Sequence, residues 1–140
     1  MLAALLMLGL TALRAQQRTG PVRDTTGRQA DIQYGVASFY SDKFQGKATA
    51  NGETYNKDAM TAAHNALPFN TWIRVTNLSN KRSVLVRVND RLHHANRRVV
   101  DLSYAAARQL RYTGKGLTRV KVEVIGKKKP VDKEDNMVNK

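Results

Sequence analysis

The side chains best suited to proton chemistry in this chain are Asp90, Glu53, His64 and Asp101. Asp90 follows Arg87-Val88-Asn89 at the end of a β-rich stretch. It reads either as a carboxyl at a strand's rim that gives and takes a proton, or as a turn residue capping backbone amides. Glu53 follows Asn51-Gly52 and is either a groove carboxylate or an exposed turn residue. His64 closes Met60-Thr-Ala-Ala-His64, as a ligand-binding imidazole or as a satisfied structural donor. Asp101 is either a substrate contact or an anchor for the helix that follows it. His93 and His94 suggest a metal, but neighbours on one strand point to opposite faces. With no cysteine and no spaced carboxylate–histidine set, the sequence implies no metal site and no cofactor.

An acid role for an aspartate has a physical difficulty. A carboxyl of ordinary pKa, about 3.9, is protonated in roughly one molecule per thousand at pH 7. Burial opposes ionisation and a nearby guanidinium favours it. Arg87 and Arg91 are close in sequence, but both have the opposite strand parity to Asp90.

These residues need a β framework to hold them. Gly35–Tyr40 reads as a first strand, and Trp72–Asn77 and Ser83–Val88 are β-rich around the polar connection Leu78–Arg82. The period of two puts Val84, Val86 and Val88 on one face, with Asp90 at its rim. Arg98–Leu102 is a shorter extended run. Ser103 then offers an N-cap to a helix over Tyr104–Leu110. Leu117–Ile125 alternates and closes the domain as a strand. Many short strands with one helix predict a small barrel. Asp58–Leu67 is alanine-rich, and propensity alone predicts helix there.

Three ordered stretches together resemble the rare lipoprotein A family. They are Gly35–Tyr40 with Phe44–Tyr55, Met60–Pro68, and Arg87-Val-Asn-Asp90-Arg91 with Val100–Ala107 downstream. The resemblance implies a mainly β fold, a six-stranded double-psi β-barrel with one or two short helices, in which Met60–His64 is a strand. It also implies a lytic transglycosylase. Such enzymes cut between N-acetylmuramic acid and N-acetylglucosamine without adding water and leave a 1,6-anhydro end. One carboxyl suffices: it protonates the leaving oxygen, then deprotonates the sugar's own 6-hydroxyl. A hydrolase usually needs a second carboxylate.

By the same resemblance, Asp90 is the acid/base, and Glu53 and His64 complete the catalytic set by binding substrate and orienting Asp90. Tyr55, Asn89, Arg91 and Asp101 are the expected substrate contacts. The chain departs from the family pattern after Arg91, where Leu92-His-His-Ala-Asn-Arg-Arg98 replaces Gly-Pro and an aromatic. The loop beside Asp90 is therefore built differently.

The ends and the charge bear on location. Residues 1–15 read as a secretory signal peptide: the apolar run is too short to span a bilayer as a helix and ends in a small residue at Ala15. Residues 16–33 read as a flexible linker, 34–126 as the barrel domain and 127–140 as a disordered charged tail. With no cysteine, neither a lipid anchor nor a transmembrane anchor is expected. These features imply a periplasmic or secreted monomer acting on peptidoglycan glycan strands. The net charge of +13 favours polyanions of any kind. Two other readings compete: a non-catalytic, expansin-like glycan-binding module using aromatics such as Tyr55 and Trp72, and a basic nucleic-acid-binding protein. The export signal and the lack of a nucleic-acid motif oppose the last.

Overall fold

A computed structural model describes residues 31–131. The expected signal peptide, nearly all of the expected linker and residues 132–140 of the tail lie outside the described residues. In chain order the elements are β1 (Ile32–Phe39), a 3-10 turn (Asp42–Phe44), β2 (Thr61–His64), β3 (Trp72–Asn77), β4 (Ser83–Asp90), β5 (Val100–Leu102), α1 (Tyr104–Gln109) and β6 (Thr118–Gly126). The strands close into a barrel in the order β1-β5-β2-β4-β3-β6. β1 begins inside the segment read as linker, because Ile32 and Gln33 already pair with Glu123 and Val122 of β6.

Alternation builds most of the wall. Ile73, Val75, Val84, Val86, Val88, Val120 and Val122 fill the interior, joined by Val100 and Leu102 of β5. Each such side chain contributes about 1.5–3 kcal/mol when removed from water. α1 closes one end. The hydroxyl of Ser103 accepts from Ala106 N at 3.3 Å as its N-cap, and Ala106, Ala107 and Leu110 are buried against the core.

β2 is the alanine-rich segment whose local propensity favours helix. All four of its residues are buried, between β5 on one side and β4 on the other. A strand there completes the barrel on both edges, and that tertiary gain outweighs the small local preference. Two strand pairs, β1/β5 and β2/β4, are parallel, which brings the C-terminal ends of β1 and β5 together and those of β2 and β4 together. The β2–β4 register shifts between Ala62 and Ala63: Ala62 pairs with Val88 and Ala63 with Asp90, so Asn89 has no partner on β2. Gly35 is required by close approach, since a Cβ there would stand 2.9 Å from Val99 Cβ.

Candidate active site

One row of paired residues crosses four strands. Ser38 of β1 pairs with Asp101 of β5, Asp101 with Ala63 of β2, and Ala63 with Asp90 of β4. The two carboxylates stand at positions separated by one strand, roughly 9–10 Å between backbones at the usual spacing. The side chains of Ser38 and Ala63 are small, so the row forms a trough. All four residues line a groove of ≈ 520 Å³, with walls supplied by Tyr40, Ser41, Lys43 and Phe44 after β1 and by His93, Asn96 and Arg98 of the β4–β5 loop.

Asp90 is held at both oxygens. Oδ1 accepts the backbone N–H groups of Ala50 and Arg91, each at 2.8 Å. Oδ2 accepts the Tyr40 hydroxyl at 2.5 Å. Burial, reinforced by Asp90 itself, raises the Tyr40 hydroxyl far above the ordinary tyrosine range, so it stays a neutral donor. Oδ1 thus carries two donors and Oδ2 one. Neither nearby guanidinium pairs with it. Arg87 turns to Glu53, while Arg91 donates to His64 O at 3.1 Å and lies over the Phe69 ring, 4.0 Å from its centroid.

Asp101 is in the groove but fully engaged. Its Oδ1 accepts from Ser38 Oγ at 2.7 Å and from Arg98 Nε at 2.8 Å, and its Oδ2 from Arg98 Nη2 at 3.1 Å. This bond set raises the Arg98 pKa. The residue therefore fixes the root of the loop that departs from the family pattern; the helix that follows is capped by Ser103, not by Asp101.

Glu53 and His64 do not touch the Asp90 side chain. Arg87 binds Glu53 through both guanidinium nitrogens, at 2.6 and 2.8 Å, and the Nδ2 groups of Asn51 and Asn89 add bonds at 2.8 and 3.2 Å. The Arg87 hydrogen bonds lower the Glu53 pKa to about 2, so this group is a fixed carboxylate and not a proton donor at neutral pH. Its connection to Asp90 runs through the backbone. It clamps the turn at Gly52, whose φ of 89 suits glycine, and that turn carries the Ala50 N–H to Asp90 Oδ1.

The imidazole of His64 is buried. Its Nδ1 accepts from Ala66 N and Leu67 N at 3.1 and 3.2 Å, which leaves Nε2 to donate to Gln33 Oε1 at 2.8 Å. Burial, then the charge of Arg91, lowers its pKa, so it is neutral at pH 7.

Two expected substrate contacts stand elsewhere. Tyr55 is 3% exposed, its face covered by the Tyr40 ring at 4.4 Å and its hydroxyl accepting from Tyr104 N at 3.2 Å. It supports Tyr40 and does not reach the groove. Asn89 is equally buried, spent on Glu53 and on the Asn51 N–H. Trp72 lies away from the groove, with Lys129 Nζ 5.6 Å from its ring centroid. His93 and His94 are not on a strand. They sit in the loop with ring centroids 4.2 Å apart, and among the described residues no group of metal-ligating side chains forms. Sequence reasoning missed Tyr40. Its signal was its place at the end of the first motif, where it read only as the last residue of a strand.

The family model described as lytic transglycolase matches residues 32–122, from β1 into β6. The chain belongs to the lytic transglycolase family. Within it, the chain is 51% identical over 106 residues to a Campylobacter jejuni protein named endolytic peptidoglycan transglycosylase RlpA, covering 76% of this chain and 38% of that one. A Pseudomonas aeruginosa protein of the same name is 58% identical over 91 residues, covering 65% and 27% respectively. The chain thus spans well under half the length of these curated relatives. Among solved structures, the Streptomyces papain inhibitor has a TM-score of 0.56 at 20% identity, covering 68% of this chain and 94% of that one. An apo expansin of Clavibacter michiganensis has a TM-score of 0.56 at 24% identity, covering 73% and 53%. These last two likenesses concern the fold alone. No helix among the described residues of this lytic transglycolase domain is long and apolar enough to cross a membrane.

Proposed function

We propose that this domain is an endolytic peptidoglycan lytic transglycosylase and that Asp90 is its general acid and base. The observation that carries the reading is the inequality of the two groove carboxyls. Asp101 has both oxygens committed to Ser38 and Arg98, whereas Asp90 presents Oδ2 to the groove with only the Tyr40 hydroxyl upon it. A site with one working carboxyl suits a reaction that needs no activated water.

In the forward step, the proton on Asp90 Oδ2 passes to the oxygen linking N-acetylmuramic acid to N-acetylglucosamine, and the bond from muramic C1 to that oxygen breaks. The muramic 6-hydroxyl oxygen bonds to C1, and its proton returns to Oδ2. No water is consumed and the carboxyl is regenerated. The same oxygen serves both transfers, since Oδ1 stays with its two backbone donors. Glu53, with Arg87, holds the Ala50 turn that orients Asp90, and His64 braces the end of β2 from beside the groove. The names of the relatives support peptidoglycan strands as substrate and a location outside the cytoplasm; the sequence of residues 1–15 supports export, and we take the working unit to be a monomer.

The test is digestion of purified peptidoglycan in heavy-oxygen water, with mass analysis of the released fragments. Anhydro ends without heavy oxygen support the reading. Reducing ends bearing heavy oxygen indicate a hydrolase, and the release of nothing leaves a glycan-binding module.

A further inference from the structure

With Tyr55 buried and Trp72 elsewhere, the groove needs another apolar surface if it is to hold sugar rings, and one is present. Phe44 is 37% exposed and is the only large exposed hydrophobic side chain that lines the groove among the described residues. A single exposed apolar side chain is ordinary on a surface, but one set in a cleft beside polar groups offers a contact for the apolar face of a ligand.

The ring is also held rigidly. It meets the Tyr40 ring in a T-shaped contact, with centroids 5.7 Å apart and an interplanar angle of 75°. The turn that bears it is closed by Phe44 N to Ser41 O at 3.1 Å and Lys47 N to Phe44 O at 3.0 Å. A further bond, Gly46 N to Tyr55 O at 3.0 Å, ties it to the buried Tyr55. Gln45 Oε1 accepts from Lys57 N at 2.7 Å and braces it from outside. Tyr40 thus joins two functions: its ring seats Phe44, and its hydroxyl holds Asp90 Oδ2.

Two ammonium groups flank the ring. Lys43 Nζ lies 5.2 Å and Lys47 Nζ 5.9 Å from its centroid, and neither takes part in an ion pair among the described residues. Over an exposed ring such cations gain little, and they remain available to an anion.

We infer that Phe44 is the stacking platform for a pyranose ring in this groove, and that Lys43 and Lys47 make it favour a sugar that carries a carboxylate. The apolar C–H face of the sugar covers the phenyl ring, and the displaced ammonium groups pair with the carboxylate at its edge. The inference rests on the reading of the groove as a glycan site, but it concerns binding and is independent of the chemistry at Asp90.

The test is calorimetric titration of the full chain carrying Asp90→Asn, which prevents turnover, with peptidoglycan glycan strands and with a neutral chito-oligosaccharide of equal length. Phe44→Ala should weaken binding of both by about tenfold, as expected for loss of an aromatic anchor, while the protein stays folded with a melting temperature only a few degrees lower. Phe44→Trp should bind both within about threefold of the parent, with its indole emission changing on titration. Lys43→Gln with Lys47→Gln should weaken the carboxylate-bearing strand several-fold and leave the neutral oligosaccharide unaffected. Parental affinity in Phe44→Ala overturns the platform, and equal loss for both ligands in the lysine variant overturns the carboxylate preference. If the parent binds neither glycan, the proposed function itself fails; if the parent binds and the variants do not differ, only this inference does.

Discussion

The Tyr40 hydroxyl donates to Asp90 Oδ2 at 2.5 Å while two backbone N–H groups fill Oδ1. This arrangement predicts what an amide does at position 90. In Asp90→Asn the amide oxygen keeps the donors from Ala50 and Arg91, and its NH2 faces Tyr40, whose hydroxyl can turn to accept. The variant should fold with nearly parental stability and bind glycan, yet release anhydro-muropeptides about 10² to 10⁴ times more slowly, the usual contribution of a general acid–base group. Product release by mass analysis, with a melting curve as control, is the measurement. Parental turnover in this variant would show that the acid lies elsewhere.

Asp101 offers the complementary case. It lines the same groove in the same cross-strand row, but Ser38 and Arg98 occupy both of its oxygens. Asp101→Asn keeps the Ser38 bond and loses the ion pair with Arg98, so the loop near Asn96 should loosen. We expect turnover within about tenfold of the parent, with the larger part of the loss in KM, and products that still carry anhydro ends. A loss as deep as that of Asp90→Asn would mean that the site works with two carboxylates.

Glu53 should matter through the backbone and through acid stability. The fork from Arg87 lowers its pKa to about 2 from an ordinary 4.5. A depressed carboxyl pKa means that the unfolded chain binds the proton more readily. Its stabilising contribution is therefore complete above about pH 4.5 and is lost as the pH falls toward 2. The Glu53 side chain is 40% exposed and that of Arg87 26%, so solvent screening leaves about 1 kcal/mol for the pair. Glu53→Gln should melt lower than the parent at pH 7, and the difference should shrink as the pH approaches 2. Turnover should fall roughly tenfold as the Ala50 turn loosens. Denaturant curves across this pH range, with turnover at pH 7, test both parts.

Much of the barrel was legible because its strands obey the period of two: Val84, Val86 and Val88 alternate, as do Val120 and Val122. β2 was not legible from its own residues. Nothing local in Thr-Ala-Ala-His says that both edges are to be covered by other strands, and only the ordered resemblance pointed to a strand. Asp90 and Asp101 share the groove because barrel closure places Ala63 between them, a relation that depends on residues distant in sequence. The register shift at Ala62/Ala63 lies outside any parity rule. Burial separated Tyr55 from Phe44, two aromatics in one motif: the first supports Tyr40 from within, the second faces the groove. Asn89 is buried for the same kind of reason, since the register shift opposite it within β4 leaves no local signal.

His64 gives the fold a pH-dependent stability. Its Nδ1 accepts two backbone N–H groups, and protonation of that nitrogen would break both bonds and place a charge in a buried site near Arg91. Its pKa is accordingly lowered, by burial first and by Arg91 second. The unfolded chain therefore takes up the proton near pH 6.5 while the folded chain resists it. The stabilising contribution is complete above that pH and declines as the pH falls below it. His64→Ala should destabilise by about 2–4 kcal/mol, from two orphaned N–H groups and the cavity left behind. His64→Gln, whose amide oxygen can accept at least one of those N–H groups, should recover part of this loss and flatten the stability profile between pH 7 and 5. Denaturant midpoints for the three proteins at pH 7, 6 and 5 provide the measurement. A parental profile that stays level over this range, or a His64→Gln profile that falls as steeply as the parent's, would show that His64 is not the group that titrates.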